Sequence, residues 1–415
     1  MTTGDKLQIA VPVFFCLCAA AHAQHTSENA ITSSEDAFGK TVGLDSIGIY
    51  GSDNVRGFSP IVAGNVRVEG LYFDIQGSPT GRVVADSTIH VGIAAQSDSF
   101  PAPTGIADLS LRSSGAMPSL SIIANTGPFA SRGLIFDGAL PLTGTRLTAA
   151  LGASMARDHL ASGGHATSMS VGVVPRWQLS EHMAITSFWG RSYTDDENPT
   201  PVYVPRLGVP PRVSHARYPG SSWLGNNYHS DTAGILGHAI WSDWTIRGGL
   251  FYSAQVIDAA YSNLFLEVTP QGEAEQIIVA GQPQHASSVS GELRASRAIK
   301  DGSRRHLLLG TVRWRNSTTS YGGDVLIDAG AVNVNAPPEM TKPVFEFGEL
   351  SHAHRNQITG GASYRLTWEH VGELGLGLQR TTYRKQDTQP EVASFRSTTS
   401  AWLPNLTLAV PIRPT

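Results

Sequence analysis

Residues 358–369 read ITGGASYRLTWE, and their alternation decides the fold. In an extended chain Ile358, Gly360, Ala362, Tyr364, Leu366 and Trp368 fall on one face, while Thr359, Gly361, Ser363, Arg365, Thr367 and Glu369 fall on the other. A period of two is the signature of a strand with one apolar and one polar side. Neighbouring stretches repeat the design. Leu308, Gly310, Val312 and Trp314 oppose Thr311, Arg313 and Arg315. Trp244, Ile246, Leu250, Tyr252 and Val256 oppose Thr245, Arg247, Ser253 and Gln255. Residues 147–155 carry Leu147, Ala149, Leu151, Ala153 and Met155 at the same period, and residues 373–379 carry Leu374, Leu376 and Leu378. About twelve such strands are expected between residues 119 and 411.

The connections add direction. Short turns are expected at 180–182, 242–243, 300–303 and 370–372, and long polar stretches at 195–226, 259–284, 321–354 and 387–396. The two kinds alternate. A soluble sandwich has no reason to gather its short turns at one end, whereas an outer-membrane barrel has short periplasmic turns and long extracellular loops. Strands on the order of 10–16 residues exceed the globular mode of about 5–6 and suit tilted membrane strands, which need about 9–11. Trp177, Trp189, Trp241, Trp244, Trp314, Trp368 and Trp402 lie in or at the ends of these strands, several beside a short turn, where an interfacial girdle belongs.

Composition agrees. Charged residues are 15% of the chain against about 25% in typical soluble domains, and the 43 glycines among 415 residues are above the average of about 7%. A net charge of -4 offers no basic field for nucleic acid. Residues 9–21 (IAVPVFFCLCAAA) form an apolar run too short to span a bilayer as a helix, and Ala21-His22-Ala23 follows with small-x-small spacing. Residues 1–24 are therefore read as a secretory signal. No later run reaches the length of a transmembrane helix. Both cysteines, Cys16 and Cys18, fall inside the signal, so the remaining chain has no thiol for a disulfide or a cysteine zinc site.

Between signal and barrel the pattern changes. Residues 25–44 read as a flexible periplasmic segment, polar in its first half. Over 45–118, short strands expected at 65–73, 88–93 and 107–112 alternate with Gly, Pro and Asn turns. Arg56, Arg67, Glu69 and Asp74 lie among them, a charge density that suits a watery lumen better than a dry core. The step Val55-Arg56-Gly57 is followed by Val66-Arg67-Val68-Glu69-Gly70-Leu71-Tyr72-Phe73-Asp74, then by Ile89-His90-Val91-Gly92 and Gly105-Ile106-Ala107-Asp108-Leu109. In order and spacing this resembles the plug of TonB-dependent outer-membrane receptors, with Arg56, Gly57, Arg67, Glu69, Gly70 and Asp74 as the motif residues. The resemblance covers 45–118 by motif and 119–411 by architecture.

That resemblance implies an all-β transmembrane barrel of 22 antiparallel strands filled by a small α/β plug. It implies capture of a bulky, scarce ligand outside the cell, by default a ferric siderophore. It implies energy from the inner-membrane TonB complex, insertion by the barrel-assembly machinery, and contact with outer-membrane lipid. The sequence departs from the family pattern in three ways. The best TonB-box candidate, residues 28–33 (ENAITS), matches poorly; about ten of the 22 strands are not found; and the final residues lack an aromatic-ended strand. The expectation is a plug followed by a partial barrel over 119–415, in a truncated chain or a fragment.

No His-Glu-x-x-His, P-loop or Gly-x-Ser-x-Gly motif occurs, and residues 152–156 (GASMA) lack the second glycine, so no catalytic residue, resident metal or cofactor is expected. His215, His229, His352 and His354 fall in or beside the expected long loops and are candidate ligand residues. His352 and His354 stand two apart, a spacing at which an extended chain brings two imidazoles toward one ion; polar loops also tolerate histidine for no functional reason. Arg56 and Arg67 have two readings: partners of barrel-wall carboxylates that lock the plug, or solvated arginines in a wet interface. The functional reading is energy-coupled uptake across the outer membrane. The alternatives are a passive outer-membrane channel and a secreted all-β binding module.

Overall fold

The computed structural model describes residues 59–90, 105–206, 208, 213 and 217–410, with the backbone of 41–43. Its first sheet has five short strands: β1 (Thr41–Gly43), β2 (Val66–Val68), β3 (Leu71–Tyr72), β4 (Val84–His90) and β5 (Ile106–Leu111). They lie in the order β1-β4-β5-β2-β3, with β2 parallel to β5 and the other pairs antiparallel. No α-helix occurs among the described residues, so the described part of the expected α/β plug is a β-sheet alone.

The dyad stretches form one antiparallel wall of twelve strands, in the number anticipated. These are β6 (Ser119–Thr126), β7 (Arg132–Thr143), β8 (Leu147–His159), β9 (His165–Ser180), β10 (Met183–Glu197), β12 (Asn226–Trp241), β13 (Trp244–Val268), β15 (Gln284–Asp301), β16 (Arg304–Tyr321), β18 (Ser351–Trp368), β19 (Gly372–Gln389) and β20 (Val392–Ala409). Each pairs with its neighbour in that order, leaving β6 and β20 as the two ends of the path. Three shorter strands, β11 (Val202–Pro205), β14 (Glu273–Gly281) and β17 (Val325–Asn333), join the far end of β13 in a small sheet beyond the wall.

Sidedness follows the period. On β18, Ile358 is 51% exposed on the outer face, while the next residue, Thr359, is 1% exposed on the inner one. Leu250, Leu293, Leu308, Val312, Leu376 and Leu378 are likewise exposed large apolar side chains, the arrangement a hydrocarbon surround selects. The two-residue turn at 390–391 lies at one end of the wall, and five short turns, at 144–146, 181–182, 242–243, 302–303 and 369–371, lie at the other. Trp177, Trp241, Trp244 and Trp368 stand beside them, with the guanidinium of Arg304 4.3 Å from the Trp368 ring centre.

Two expected loops are strands. β13 runs unbroken for 25 residues, so 259–268 is strand. Residues 387–396 hold the tight β19–β20 turn, with Glu391 at φ +59°. Above the apolar band a strand meets water on its outer face too, so alternation fades and the sequence reads as a loop. Cross-strand polar pairs such as Arg396 with Gln386, at 2.9 Å, hold these extensions together.

The wet-lumen expectation for the plug is also corrected. Val66, Val68, Leu71, Phe73, Val83, Val84, Leu109 and Leu111 form a dry core continuous with Ala150, Val174, Phe188, Leu236 and Phe251 of the wall. Phe73 meets Phe251 edge to face with ring centres 5.7 Å apart. Of the charges beside these apolar residues, Asp74, Arg82 and Arg112 pair with side chains of the wall.

Candidate functional site

The plug meets the wall at the β2–β3 hairpin. Glu69 and Gly70 both have positive φ, +50° and +79°, the sign pattern of a type I′ turn. Inside the plug, the Glu69 N–H donates to the Leu109 carbonyl at 2.9 Å, and its Oε1 accepts the Leu111 N–H at 2.9 Å. The Gly70 N–H donates to Asp108 Oδ1 at 2.8 Å. Burial raises the Asp108 carboxyl above its ordinary range, opposed by that N–H and by the charges of Arg67 and His90. The turn's two carbonyls face the wall. Glu69 O accepts from Arg247 Nη2, and Gly70 O accepts from Arg294 Nη2 at 3.1 Å.

Beyond the turn the plug climbs the wall as a strand would, but its partners are side chains. The Tyr72 N–H donates to Glu292 Oε2 at 2.8 Å, the Asp74 N–H to Ser290 Oγ at 2.9 Å, and the Gln76 N–H to Ser253 Oγ at 2.9 Å. Each of these three plug donors is thus satisfied by an inward residue of β13 or β15. Two ion pairs bracket the climb. Asp74 Oδ1 lies 2.8 Å from Arg315 Nη1, with the side chains 4% and 19% exposed. Glu292 Oε1 lies 2.7 Å from Arg294 Nη2 and accepts the Thr311 hydroxyl at 2.8 Å. Burial, then the Asp74 charge, push the Tyr72 phenol up to about 12.

The opposite flank is shaped by glycine. Gly152, Gly172 and Gly190 occupy one rung across β8, β9 and β10. A Cβ on Gly172 would lie 2.7 Å from Val83 Cγ2 and 2.8 Å from the Arg82 carbonyl carbon; one on Gly190 would lie 2.6 Å from Val83 Cγ2. The bare rung is the groove in which the plug's 80–83 segment sits. Beside it, Asp137 of β7 takes Arg82 Nη1 at 2.5 Å and Arg112 Nη1 at 3.3 Å.

The anticipated site residues separate. Glu69, Gly70 and Asp74 meet the wall directly. Arg67 stays in the plug sheet opposite Tyr72. Arg56 and Gly57 lie outside the described residues, as does His215. His352 and His354 are corrected from loop to strand: they lie in β18 on the outer face of Ile358, away from the lumen. His229 lies in β12, beside the connection that precedes it, its Nδ1 3.1 Å from Asp258 Oδ2. Among the described residues no three His, Cys, Asp or Glu side chains are grouped to hold a metal.

Sequence reasoning missed Arg247, Arg294, Arg315, Glu292 and Asp137. Their only signal was a charge at an inward position of a strand expected to line the lumen. It also missed a surface beyond the wall, where Trp223, Tyr261, Phe345 and Phe347 cluster with ring centres 5.4–6.0 Å apart. Trp223, the one tryptophan outside the strand pattern, was the clue.

A small sheet packed on the inner face of an antiparallel wall, with an apolar outer band and five of its short turns at one end, is the arrangement of part of an outer-membrane β-barrel. More specifically, the fold is that of TonB-dependent siderophore receptors. The ferric preacinetobactin receptor BauA from Acinetobacter baumannii superposes with a TM-score of 0.66 at 15% identity, over 85% of this chain and 54% of that one. The ferripyoverdine receptor of the Pseudomonas aeruginosa outer membrane gives 0.68 at 13% identity, over 86% and 49%. The ferric-catecholate import receptor Fiu from E. coli K12 gives 0.65 at 14%, over 89% and 62%. The chain thus spans about half to three-fifths of the length of these structures. No protein-family model and no curated protein matches its sequence.

Proposed function

We propose that this chain provides the plug and part of the barrel of an outer-membrane receptor for energy-coupled uptake of a bulky, scarce ligand, by default a ferric siderophore. The observation that carries the reading is the seating of the plug turn: its two carbonyls are held by two wall arginines, so the lumen is blocked by a body fastened through discrete, breakable contacts. A permanent filler needs only the dry core. Polar fastenings around that core suit a body that must be released and reseated. Pull from an inner-membrane TonB complex would supply the release, outer-membrane lipid would surround the wall, and the barrel-assembly machinery would insert it.

The test is uptake of iron-55-labelled siderophores by cells that express the chain in its native genetic context, with and without a proton-motive-force uncoupler. Uptake that depends on the chain and collapses with the uncoupler is expected. Uptake indifferent to the uncoupler would show a passive channel, and recovery of the chain from the soluble fraction would show a secreted module.

A further inference from the structure

Plug and wall enclose a cavity of about 40 Å³ between Gly64 and Tyr72 on one side and Arg313, Arg315, Gln357 and Thr359 on the other. Its charge is unusual. Arg313 points inward from β16, between its ladder partners Glu292 on β15 and Thr359 on β18. The Glu292 carboxylate is already engaged by the Tyr72 N–H, Arg294 and the Thr311 hydroxyl. The Tyr72 ring lies against the Arg313 guanidinium, 5.2 Å from centroid to Cζ, and no hydrogen bond or ion pair joins Arg313 to any described residue. Arg315, two residues on along the same inner face, gives Nη1 to Asp74, while its buried Nε has no partner. Two cationic donor groups therefore line one small polar space. Gln357 and Thr359 complete it, both tied to the Thr381 hydroxyl at 3.3 and 2.8 Å.

Arg313 is half-buried and has no carboxylate of the described residues bonded to it, so its guanidinium is free to make a charge-assisted bond to an anion that enters this space. The space exceeds the roughly 10–15 Å³ that a single water needs, yet is far too small for a chelate. We propose that this cavity binds one compact monovalent anion, a halide or a carboxylate group, through Arg313 and Arg315 Nε. The anion then bridges β16 to the plug at Tyr72 and tightens the seat. The site does not depend on what the receptor transports.

The whole chain in detergent micelles is melted at constant ionic strength while gluconate, too large for the cavity, is replaced by chloride or by acetate. A saturable rise in Tm of about 2–4 °C is expected for at least one of them, lost in Arg313→Gln and kept in Arg297→Gln, an outer-face control. A response to chloride alone assigns a halide site, and a response to both assigns a site open to carboxylates. No rise with either anion, or an equal rise in Arg313→Gln, overturns the proposal. Should Arg313→Gln not fold, wild-type crystals soaked in bromide decide: an anomalous peak beside Arg313 is expected, and ordered water there at saturating bromide refutes it.

Discussion

Arg247 and Arg294 stand directly opposite one another on neighbouring strands of the wall, and each gives its guanidinium to a different carbonyl of the same plug turn. Like charges directly opposite on a sheet repel. Here the Glu69 and Gly70 carbonyls, with the Glu292 carboxylate beside Arg294, fill the space that repulsion would otherwise open. The plug turn thus completes the electrostatics of the wall at this rung, and the pair acts as a clasp on it.

Arg247→Gln is expected to loosen the plug without unfolding the wall. The lost bond is charge-assisted, so the seat should weaken by about 1.5–3 kcal/mol, while relief of repulsion at Arg294 offsets part of that. Proteolysis of the plug at rising urea measures the seat, and entry of large antibiotics measures the leak. A variant as protected and as impermeable as wild type would show that the clasp carries no weight. Arg294→Gln should cost more, because it also strips Glu292 of its partner.

Asp74→Asn probes a buried pair. Its side chain is 4% exposed against Arg315, and removing one charge leaves the other uncompensated, at a cost of about 3–5 kcal/mol. Adding Arg315→Gln should recover much of the loss. Chemical denaturation of the single and double variants measures the coupling; equal stability of the two would place Arg315 in enough water to need no partner.

How much of this was legible beforehand depends on which face a residue serves. The outward rows, such as Leu308 to Trp314 and Ile358 to Trp368, could be read because hydrocarbon tolerates few alternatives there. The extension of β13 past residue 258 could not, because water on the outer face removes the contrast between sides. In the plug, the period-two row Val66, Val68 lay in plain view. The charges of Arg67 and Glu69 between them suggested a wet domain, whereas the structure joins that row to Phe251 of the wall. The partners of the turn were hidden for a different reason. Arg247 and Arg294 are far from Glu69 and Gly70 in sequence, and only the closed packing of plug on wall brings them together.

The Tyr72 phenol gives a pH signature. Its folded value, pushed up to about 12, lies above the ordinary 10.0 of the unfolded chain. The folded state therefore holds the proton more tightly. Its contribution is fully present below pH 10 and is lost as pH rises from there toward about 12, on the order of 2–3 kcal/mol in all. Unfolding midpoints of wild type and Tyr72→Phe, compared across that window, should converge as pH rises. Parallel curves would mean that the phenol is not buried against the wall.

His352 and His354 face outward from β18, so alanine at both should change binding of ferric siderophores by less than about twofold, an effect below about 0.4 kcal/mol. Isothermal titration of the double variant checks this. A tenfold loss would mean that ligand is handled on the outer face of the wall rather than in its lumen.

The glycine rung offers the most direct test of plug seating. Gly172→Ala places a Cβ 2.7 Å from Val83 Cγ2 and 2.8 Å from the Arg82 carbonyl carbon, so plug backbone as well as side chain must retreat. Overpacking of this kind costs about 1–3 kcal/mol. Gly310→Ala is the matched control: it lies in the same wall on β16, and a Cβ there meets nothing within 4 Å. It should be neutral within about 0.5 kcal/mol. If the rung seats the plug, Gly172→Ala alone lowers the urea concentration at which protease reaches residues 80–83, while heat-induced unfolding of the wall changes little. Equal protection in the two variants would mean that the plug does not rest on these three strands, and the charge pairs of Asp137 with Arg82 and Arg112 would lose their structural basis with it.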